Sequence, residues 1–363
     1  MTRARDTYTF SAGPAMLPDE VLRQIQVDLQ DWRGSGFSLL EASQWDADLL
    51  EMLGHVEADL RLLLGVTDDY AVMFLHGGAS NQFAMVPMNL LRGRKSADYV
   101  NTGMWSGKAI HDARRYAEVN VVASSAEAGF SRVPKQSELD LDARAAYLHY
   151  TPLETAHGLQ FTYVPETGDV PLVADASSAL FAVPIDVSKF GAIYASAQKN
   201  LGIVGMTLVI VRRDLIGHAD LRTPTTFDYA VQERTGSRFT TPPVFAWYVA
   251  GLMLDWMRRQ GGAAAVSVAC RRRAELVYAA LDASEFYATS VEADSRAVCS
   301  LPFRLADPTR TESFLVEAEK AGLHALCGHP SVGGFRASMY VGMPEAGAQA
   351  LVEFLGEFER RYG

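Results

Sequence analysis

Seven short, largely apolar runs alternate with stretches of helical character, and this alternation constrains the fold more than any other feature of the chain. Continuously apolar runs are typical of strands that are buried on both faces of a parallel sheet. Strands alternating with helices indicate an α/β architecture. The seven runs are 70–75, 99–100, 119–122, 145–150, 172–174, 192–194 and 207–211. We therefore expect an α/β fold, with a seven-stranded, mostly parallel sheet in a large domain and a smaller C-terminal α/β domain.

The pattern changes near Gly261 and Gly262, where the smaller domain is predicted to begin. A chain of 363 residues is long enough for two domains. We place the large domain over residues 16–260 and the small domain over 261–363, with residues 1–15 packing near the small domain. The elements predicted in the small domain are strands at 298–304 and 335–341 and a helix at 311–321.

Composition argues against several classes of partner. A net charge of −10 disfavours nucleic acid and anionic membranes, because both require concentrated basic surface. The apolar run 245–254 stops at Asp255 and Arg258, which favours a buried helix over a membrane span. The first ten residues lack the apolar segment of a signal peptide, so we expect a cytoplasmic enzyme.

The cysteines do not form a recognisable framework. Cys270, Cys299 and Cys327 are odd in number and have no Cys-x-x-Cys spacing. Neither a disulfide scaffold nor a structural zinc site is indicated by such a pattern. We expect buried, reduced thiols and no bound metal.

Lys199 and Asp175 are the strongest candidates for chemistry. Lys199 follows the apolar run at 192–194 and lies 24 positions after Asp175, which itself ends the run at 172–174. Pyridoxal 5'-phosphate needs a lysine amine to hold its aldehyde and a carboxylate to keep its pyridine nitrogen protonated. The pair therefore suggests this cofactor, with Lys199 and Asp175 as the catalytic residues.

A phosphate-bearing cofactor also needs an anion cradle and a surface for its ring. Gly77 and Gly78 are followed by Ala79 and Ser80, after a strand and before a helical pattern, where backbone N–H groups can meet an anion. A Gly-Gly turn is also ordinary loop chemistry, so this motif alone is weak. Trp105 is either a ring-stacking residue or a core tryptophan.

Together, five motifs resemble the phosphoserine aminotransferase family, a branch of the class-V, fold-type I pyridoxal phosphate enzymes. The likeness runs from one end of the chain to the other. The motifs are Phe10-Ser11-Ala12-Gly13-Pro14-Ala15-Met16-Leu17-Pro18, Gly77-Gly78-Ala79-Ser80, Tyr194-Ala195-Ser196-Ala197-Gln198-Lys199-Asn200, Thr241-Pro242-Pro243-Val244-Phe245-Ala246-Trp247-Tyr248 and Gly333-Gly334-Phe335-Arg336-Ala337-Ser338.

The resemblance implies a role for each matching residue. It makes Lys199 the Schiff-base lysine, Asp175 the partner of the pyridine nitrogen and Trp105 the stacking residue. It implies that Arg336 binds the substrate α-carboxylate, since a guanidinium can donate two parallel hydrogen bonds to a carboxylate. The remaining cofactor contacts that it implies are Ala79, Ser80, Thr155 and Gln198, joined by Thr240 and Thr241 from the second subunit of a homodimer with shared active sites.

The chain departs from the family where the distal phosphate of the substrate is read. The family has a His-Arg pair near the N-terminus and a Gly-His-Arg motif later; here the corresponding residues are Gln44-Trp45 and Gly328-His329-Pro330. Two arginines and one histidine are therefore missing, and His329 alone remains. Charge-assisted contacts to a dianion are not easily replaced. We expect an aminotransferase acting on an amino acid and a 2-oxo acid, with a substrate less anionic than phosphoserine.

Three alternatives stay open at this point. The chain could be a true phosphoserine:2-oxoglutarate aminotransferase with a rebuilt phosphate site. It could instead expel a β-substituent and act as a lyase or β-replacement enzyme. A cofactor-bound protein without turnover is disfavoured, because such a protein has no need to keep Lys199, Asp175 and Arg336 together.

Overall fold

A computed structural model describes residues 6–363 of the chain. Its strands are β1 (Tyr8–Thr9), β2 (Tyr70–His76), β3 (Ser96–Asn101), β4 (Glu118–Ser124), β5 (Leu148–Tyr150), β6 (Leu153–Glu154), β7 (Leu159–Gln160), β8 (Leu172–Asp175), β9 (Ala192–Ser196), β10 (Met206–Arg212), β11 (Tyr287–Ala288), β12 (Ser300–Leu305), β13 (Leu323–His324) and β14 (Phe335–Ser338). Its α-helices are α1 (Asp19–Asp28), α2 (Ala47–Leu64), α3 (Gln82–Leu90), α4 (Met104–Ala113), α5 (Tyr229–Arg234), α6 (Val244–Arg259), α7 (Gly262–Asp282), α8 (Thr311–Lys320) and α9 (Glu345–Tyr362).

The central sheet has seven strands in the order β2-β10-β9-β8-β5-β3-β4. Each of the seven predicted runs contributes one of these strands, so the predicted sheet is confirmed. Strand β10 runs antiparallel to both of its neighbours, whereas the other pairs in the sheet are parallel. Six strands therefore end at one edge of the sheet, and the loops that follow them meet there.

Both faces of the sheet are covered, which explains why its strands are continuously apolar. Successive side chains of a strand point to opposite faces. Leu172 and Ala174 face the core under α2 and α6, and Val173 between them faces the core under α3 and α4. The run at 245–254 lies within α6 as a mostly buried helix, as predicted. None of the helices over residues 6–363 is both long and apolar enough to span a bilayer.

The C-terminal part of the chain has a sheet of its own. Strands β11, β12 and β14 form a three-stranded antiparallel sheet. Its Phe303 and Phe335 pack against Phe314 of α8. Near the N-terminus, β1 pairs in parallel with β13. The domain boundary at residue 261 stays a prediction.

The expectation of three buried thiols is wrong for one of them. Cys270 and Cys299 are buried, but Cys327 is exposed. Cys327 lies in the segment between β13 and β14. An isolated antiparallel β-bridge pairs its backbone with that of Phe335, and its side chain lies outside the core. All three cysteines are free thiols.

Candidate active site

The edge where the parallel strands end holds a cavity of about 280 Å³. Its walls come from the segments that follow β2, β3, β5, β8 and β9 and from β14 and the loop before it. Most of the predicted site residues therefore meet in one place, although they are far apart in the sequence. Those that line the cavity are Ala79, Ser80, Trp105, Thr155, Asp175, Gln198, Lys199, His329 and Arg336.

Lys199 lies in the turn after β9 and is buried. Its Nζ donates a hydrogen bond to Ser178 Oγ at 2.7 Å and lies 5.5 Å from the centre of the Trp105 ring. Burial lowers the pKa of the Lys199 amine, and the nearby carboxylate of Asp175 opposes part of that shift. The neutral amine, which is the nucleophilic form, is thereby favoured.

Asp175 is the last residue of β8 and is also buried. Its Oδ1 accepts a hydrogen bond from the Ser177 backbone N–H at 3.0 Å. The Tyr194 hydroxyl also interacts with the carboxylate and lowers its pKa. Burial raises the pKa of Asp175, whereas the positive charge of Lys199 and these interactions act in the opposite direction. A buried carboxylate with fixed donors is well suited to hold a protonated ring nitrogen.

Trp105 is partly buried, lies at the cavity and packs against the core cluster under α3 and α4. Its indole Nε1 donates to Thr155 Oγ1 at 3.0 Å, and its backbone N–H donates to Glu154 Oε2 at 2.9 Å. Trp105 lines the cavity, and its role as the ring-stacking residue stays a prediction. The Thr155 hydroxyl accepts from Trp105 and still has its own proton to donate.

Glu154 was not singled out from the sequence. Its side chain is fully buried and accepts backbone N–H groups of Trp105, Ser106 and Ala156, so that it caps the first turn of α4. Burial raises the pKa of Glu154 to about 7. At Gly103, with φ of +152°, a Cβ atom would lie 2.6 Å from Glu154 Cγ, so only glycine allows this close approach. The position of Glu154 beside the apolar end of a strand was the one sequence feature that could have indicated its role.

The segment after β2, where the anion cradle was predicted, lines the cavity with Gly78, Ala79 and Ser80. Gly77 has φ of +87°, and a Cβ atom there would lie 2.3 Å from the Asn81 side chain. The chain then enters a short 3₁₀ turn at Ala79–Asn81 that leads directly into α3, and no side chain of the described residues caps its start. Backbone N–H groups at such a start lack partners in the chain and favour an anion.

Arg336 projects from β14 towards the cavity. Its Nη1 donates to the Thr155 carbonyl oxygen at 3.5 Å, and its Nε is buried without a hydrogen-bond partner in the part of the chain that the structure describes. Burial lowers the pKa of Arg336. A guanidinium with an unused donor on a cavity wall is suited to a carboxylate ligand.

Four predicted residues lie outside this cavity: Gln44, Trp45, Thr240 and Thr241. Both threonines are exposed, and the Trp45 side chain is 71% exposed. The guanidinium carbon of Arg238 lies 5.9 Å from the centre of the Trp45 ring. The single chain therefore does not bring these residues to the groups around Lys199.

The donor set of the cavity fits pyridoxal phosphate. A buried amine, a buried carboxylate, an aromatic ring and an uncapped helix start are the four features that the aldehyde, the pyridine nitrogen, the ring and the phosphate of this cofactor require. Lys199, Asp175 and Trp105 supply the first three.

Comparison with known proteins gives the family. The model of the family "Aminotransferase class-V" matches residues 7–351. The chain belongs to this family. A phosphoserine aminotransferase of Acidithiobacillus ferrooxidans is 48% identical over 98% of this chain and 99% of its own length, and one of Pseudomonas aeruginosa is 46% identical over 99% and 100%.

Solved structures of class-V aminotransferases agree with the fold in detail. The phosphoserine aminotransferase of Bacillus circulans subsp. alkalophilus, 41% identical, superposes with a TM-score of 0.96 and covers 98% of this chain and 99% of its own. The pyridoxal phosphate-bound enzyme of Trichomonas vaginalis, 34% identical, gives 0.92 over 96% and 99%. The fold-type I architecture, the cofactor and the aminotransferase class predicted from the sequence are confirmed, and the protein is a pyridoxal phosphate-dependent aminotransferase.

Proposed function

We propose that this aminotransferase moves an amino group between an α-amino acid and a 2-oxo acid, and that its preferred substrate is less anionic than phosphoserine. The observation that carries the proposal is the makeup of the cavity near His329. Leu153, a buried apolar side chain, lines the cavity, and the residue after His329 is the exposed, uncharged Pro330. Leu153 and Pro330 offer no charge-assisted hydrogen bond to a dianionic phosphate.

The inner residues account for the transfer itself. When bound, pyridoxal phosphate supplies an aldehyde that holds the amino group and a ring that withdraws electrons from the substrate Cα. Lys199 would hold the aldehyde carbon at rest and, once released, act as the general base that removes the proton from Cα. Its neighbour Ser178, 2.7 Å from Nζ, would keep the amine aimed while it is free.

The cofactor contacts follow from the donors around the cavity. Asp175 would keep the pyridine nitrogen protonated, Trp105 would cover the ring, and the hydroxyl of Thr155 would donate to the cofactor's 3-hydroxyl oxygen. Ala79, Ser80 and Gln198 would hold the phosphate near the start of the helical segment that continues into α3.

Arg336 and His329 would orient the substrate. Arg336, whose buried Nε has no partner in the described part of the chain, would bind the α-carboxylate. His329 is partly exposed, and burial together with the charges of Arg336 and Lys108 lowers its pKa. A neutral histidine at this point offers one hydrogen bond and little charge to a distal group, which favours a weakly anionic side chain.

The active sites would be shared across a homodimer. Thr240, Thr241, Gln44 and Trp45 do not line the cavity of their own chain, and three of them are exposed. In the proposed dimer, each subunit presents these residues to the other subunit's cavity, where Thr241 reaches the cofactor phosphate. Arg238, stacked on Trp45, would enter with them as a single cation.

A second candidate is phosphoserine:2-oxoglutarate transamination with a rebuilt phosphate site. The similarity to proteins named phosphoserine aminotransferase, at 46–48% identity over nearly the whole chain, favours this alternative. β-Elimination or β-replacement is the third candidate, because the same proton removal at Cα also precedes loss of a β-substituent.

A substrate panel separates the three candidates. The loaded enzyme is titrated with single amino acids, including phosphoserine, glutamate and apolar residues, while the absorbance of the bound cofactor is followed. The proposal predicts that a less anionic amino acid depletes that absorbance at lower concentration than phosphoserine does. Accumulation of pyridoxamine phosphate identifies transamination, whereas release of ammonia identifies elimination.

A further inference from the structure

A chain of buried polar side chains runs away from the cavity behind Asp175. The Tyr194 hydroxyl interacts with the Asp175 carboxylate and lowers its pKa. The same oxygen lies 2.8 Å from His149 Nε2. Asp175 and Tyr194 are register partners on β8 and β9, and His149 lies on β5, the next strand of the sheet. Tyr194 and His149 are each only 1% exposed, and neither lines the cavity.

All three side chains lie on the same face of the sheet, the one covered by α3 and α4. Tyr194 belongs to the core cluster of that face, as does Val173, two residues before Asp175 in β8. On β5, His149 alternates with Leu148, which belongs to the opposite core. Three adjacent strands thus place carboxylate, hydroxyl and imidazole in a row.

The direction of each hydrogen bond follows from counting protons. An ionised carboxylate only accepts, so the Tyr194 hydroxyl donates its single proton to Asp175. The Tyr194 oxygen must then accept from His149, which requires a proton on Nε2. Burial lowers the pKa of His149 to about 3, so the ring is neutral and Nδ1 carries a lone pair.

The surroundings of Nδ1 agree with this tautomer. His149 Nδ1 is buried and has no hydrogen-bond partner among residues 6–363. With the proton on Nδ1 instead, a buried N–H would lack an acceptor and Tyr194 would have to donate to His149. Asp175 would then lose its hydroxyl donor.

We propose that His149 and Tyr194 are positioning residues for Asp175, forming a donor chain from His149 Nε2–H through the Tyr194 hydroxyl to the carboxylate. The chain holds Asp175 ionised and fixed in orientation while it is buried, before and after the cofactor binds. This proposal rests on the proposed function only in assigning the pyridine nitrogen to Asp175.

Asp175 needs hydrogen-bond donors if it is to stay ionised while buried. A buried carboxylate tends to take up a proton, and a protonated Asp175 could not keep a ring nitrogen protonated. The nearby Lys199 charge helps only while the amine is protonated, and burial disfavours that form. Neutral donors behind Asp175 act whether Lys199 is charged or not.

The test compares four variants of the loaded enzyme with the native protein. Tyr194→Phe and His149→Leu each break the chain, whereas His149→Gln keeps an N–H donor close to the position of Nε2. Tyr147→Phe is the matched control, because Tyr147 is also buried on this face of the sheet. Its hydroxyl is hydrogen-bonded to the Tyr99 hydroxyl at 2.8 Å and does not take part in the His149–Tyr194–Asp175 donor chain. The readouts are cofactor dissociation constant, kcat and the absorption spectrum of the bound cofactor.

We expect Tyr194→Phe and His149→Leu to weaken cofactor binding and lower kcat by about 10- to 100-fold, the effect of one hydrogen bond to a charged group. We expect His149→Gln to recover most of both losses, and Tyr147→Phe to leave both unchanged. Equal losses in all four variants would mean that packing alone is responsible and would overturn the proposal.

The tautomer provides an independent check that needs no variant to fold. In ¹⁵N NMR spectra of the cofactor-free native protein, the account predicts a neutral His149 with its proton on Nε2. A proton on Nδ1 would overturn the donor chain. An Asp175→Asn variant separates the two proposals: full activity there contradicts the proposed function, whereas loss of activity there with none in Tyr194→Phe contradicts the donor chain alone.

Discussion

The inner part of the active site, around Lys199, Asp175 and Trp105, differs in construction from the outer part, around His329 and Pro330. The inner groups are supplied by one chain, at the ends of buried strands, and Lys199, Asp175 and Trp105 each have a hydrogen-bond partner there. The outer groups lie on partly exposed loops and, in the proposed dimer, meet Gln44 and Trp45 of a second chain. We therefore infer that reaction class depends on the residues at the sheet edge, whereas substrate choice depends on loops that can change without disturbing them.

The largest loss of activity is expected on replacing Lys199, in the inner part of the site. Replacing Lys199→Ala should lower activity by about 10³-fold or more, since both the cofactor attachment and the general base are lost. Borohydride reduction of the native enzyme followed by peptide mapping should place the label on Lys199. Lys108→Ala is the control, because its Nζ also lies near the Trp105 ring, at 4.8 Å, yet on the exposed side. A label on Lys108 would contradict the assignment.

Asp175 tests whether the inner part works electrostatically. Asp175→Asn should still bind the cofactor but lose on the order of 10²–10³-fold in kcat, because a preorganised charge at the ring nitrogen is gone. Steady-state kinetics at saturating cofactor measure this. The matched control is Asp98→Asn, another buried carboxylate with backbone and side-chain donors, which lies outside the cavity. Equal losses in both variants would show a general effect of removing buried charge.

Glu154 offers a pH-dependent test of the same part. Its pKa is raised from 4.5 to about 7 by burial, so between these values the folded protein keeps a proton that the unfolded chain releases. Stability is therefore lost as pH rises through this window, by on the order of 3 kcal/mol in total. Glu154→Gln, which does not titrate, should lack this component.

Urea unfolding of the cofactor-free native protein and of Glu154→Gln at pH 5 and pH 8 measures the difference. As pH rises, the free energy of unfolding of the variant should increase relative to that of the native protein. Parallel pH profiles for the two proteins would show that Glu154 is ionised throughout.

The smallest effect is expected on replacing Thr241, which the proposed dimer brings to the cofactor from the second chain. Thr241→Ala should weaken cofactor binding by a few-fold to about tenfold, the cost of one hydrogen bond supplied across the dimer. Thr162→Ala, at another exposed threonine, is the control. Equilibrium dialysis together with sedimentation measures affinity and assembly, and a monomer that binds the cofactor tightly would contradict the shared site.

The sequence was most informative where a residue's role depends on its own strand. The seven apolar runs predicted the sheet, and Lys199 and Asp175 could be found because each lies at or just after a strand end. The reversed direction of β10 could not be predicted, because a buried strand is apolar whichever way it runs.

Residues whose role depends on a distant partner were missed. Glu154 acts through the backbone of Trp105, and His149 acts through Tyr194, 45 residues away in the chain. Nothing in the local sequence distinguishes such a buried acid or histidine from an ordinary core polar residue. In the proposed dimer, Thr241 and Trp45 reach the cavity of the second chain, and no pattern within one chain specifies such a placement.

The value of kcat/KM for phosphoserine shows whether the outer part binds a distal phosphate. The native enzyme is compared with the triple variant Gln44→His, Trp45→Arg, Pro330→Arg. Since each buried charged partner contributes about 2–5 kcal/mol, the variant should gain at least about 30-fold over a poor native value. A native enzyme that already prefers phosphoserine over less anionic amino acids, and a variant that gains nothing, would contradict the account and identify a phosphoserine aminotransferase with a rebuilt phosphate site.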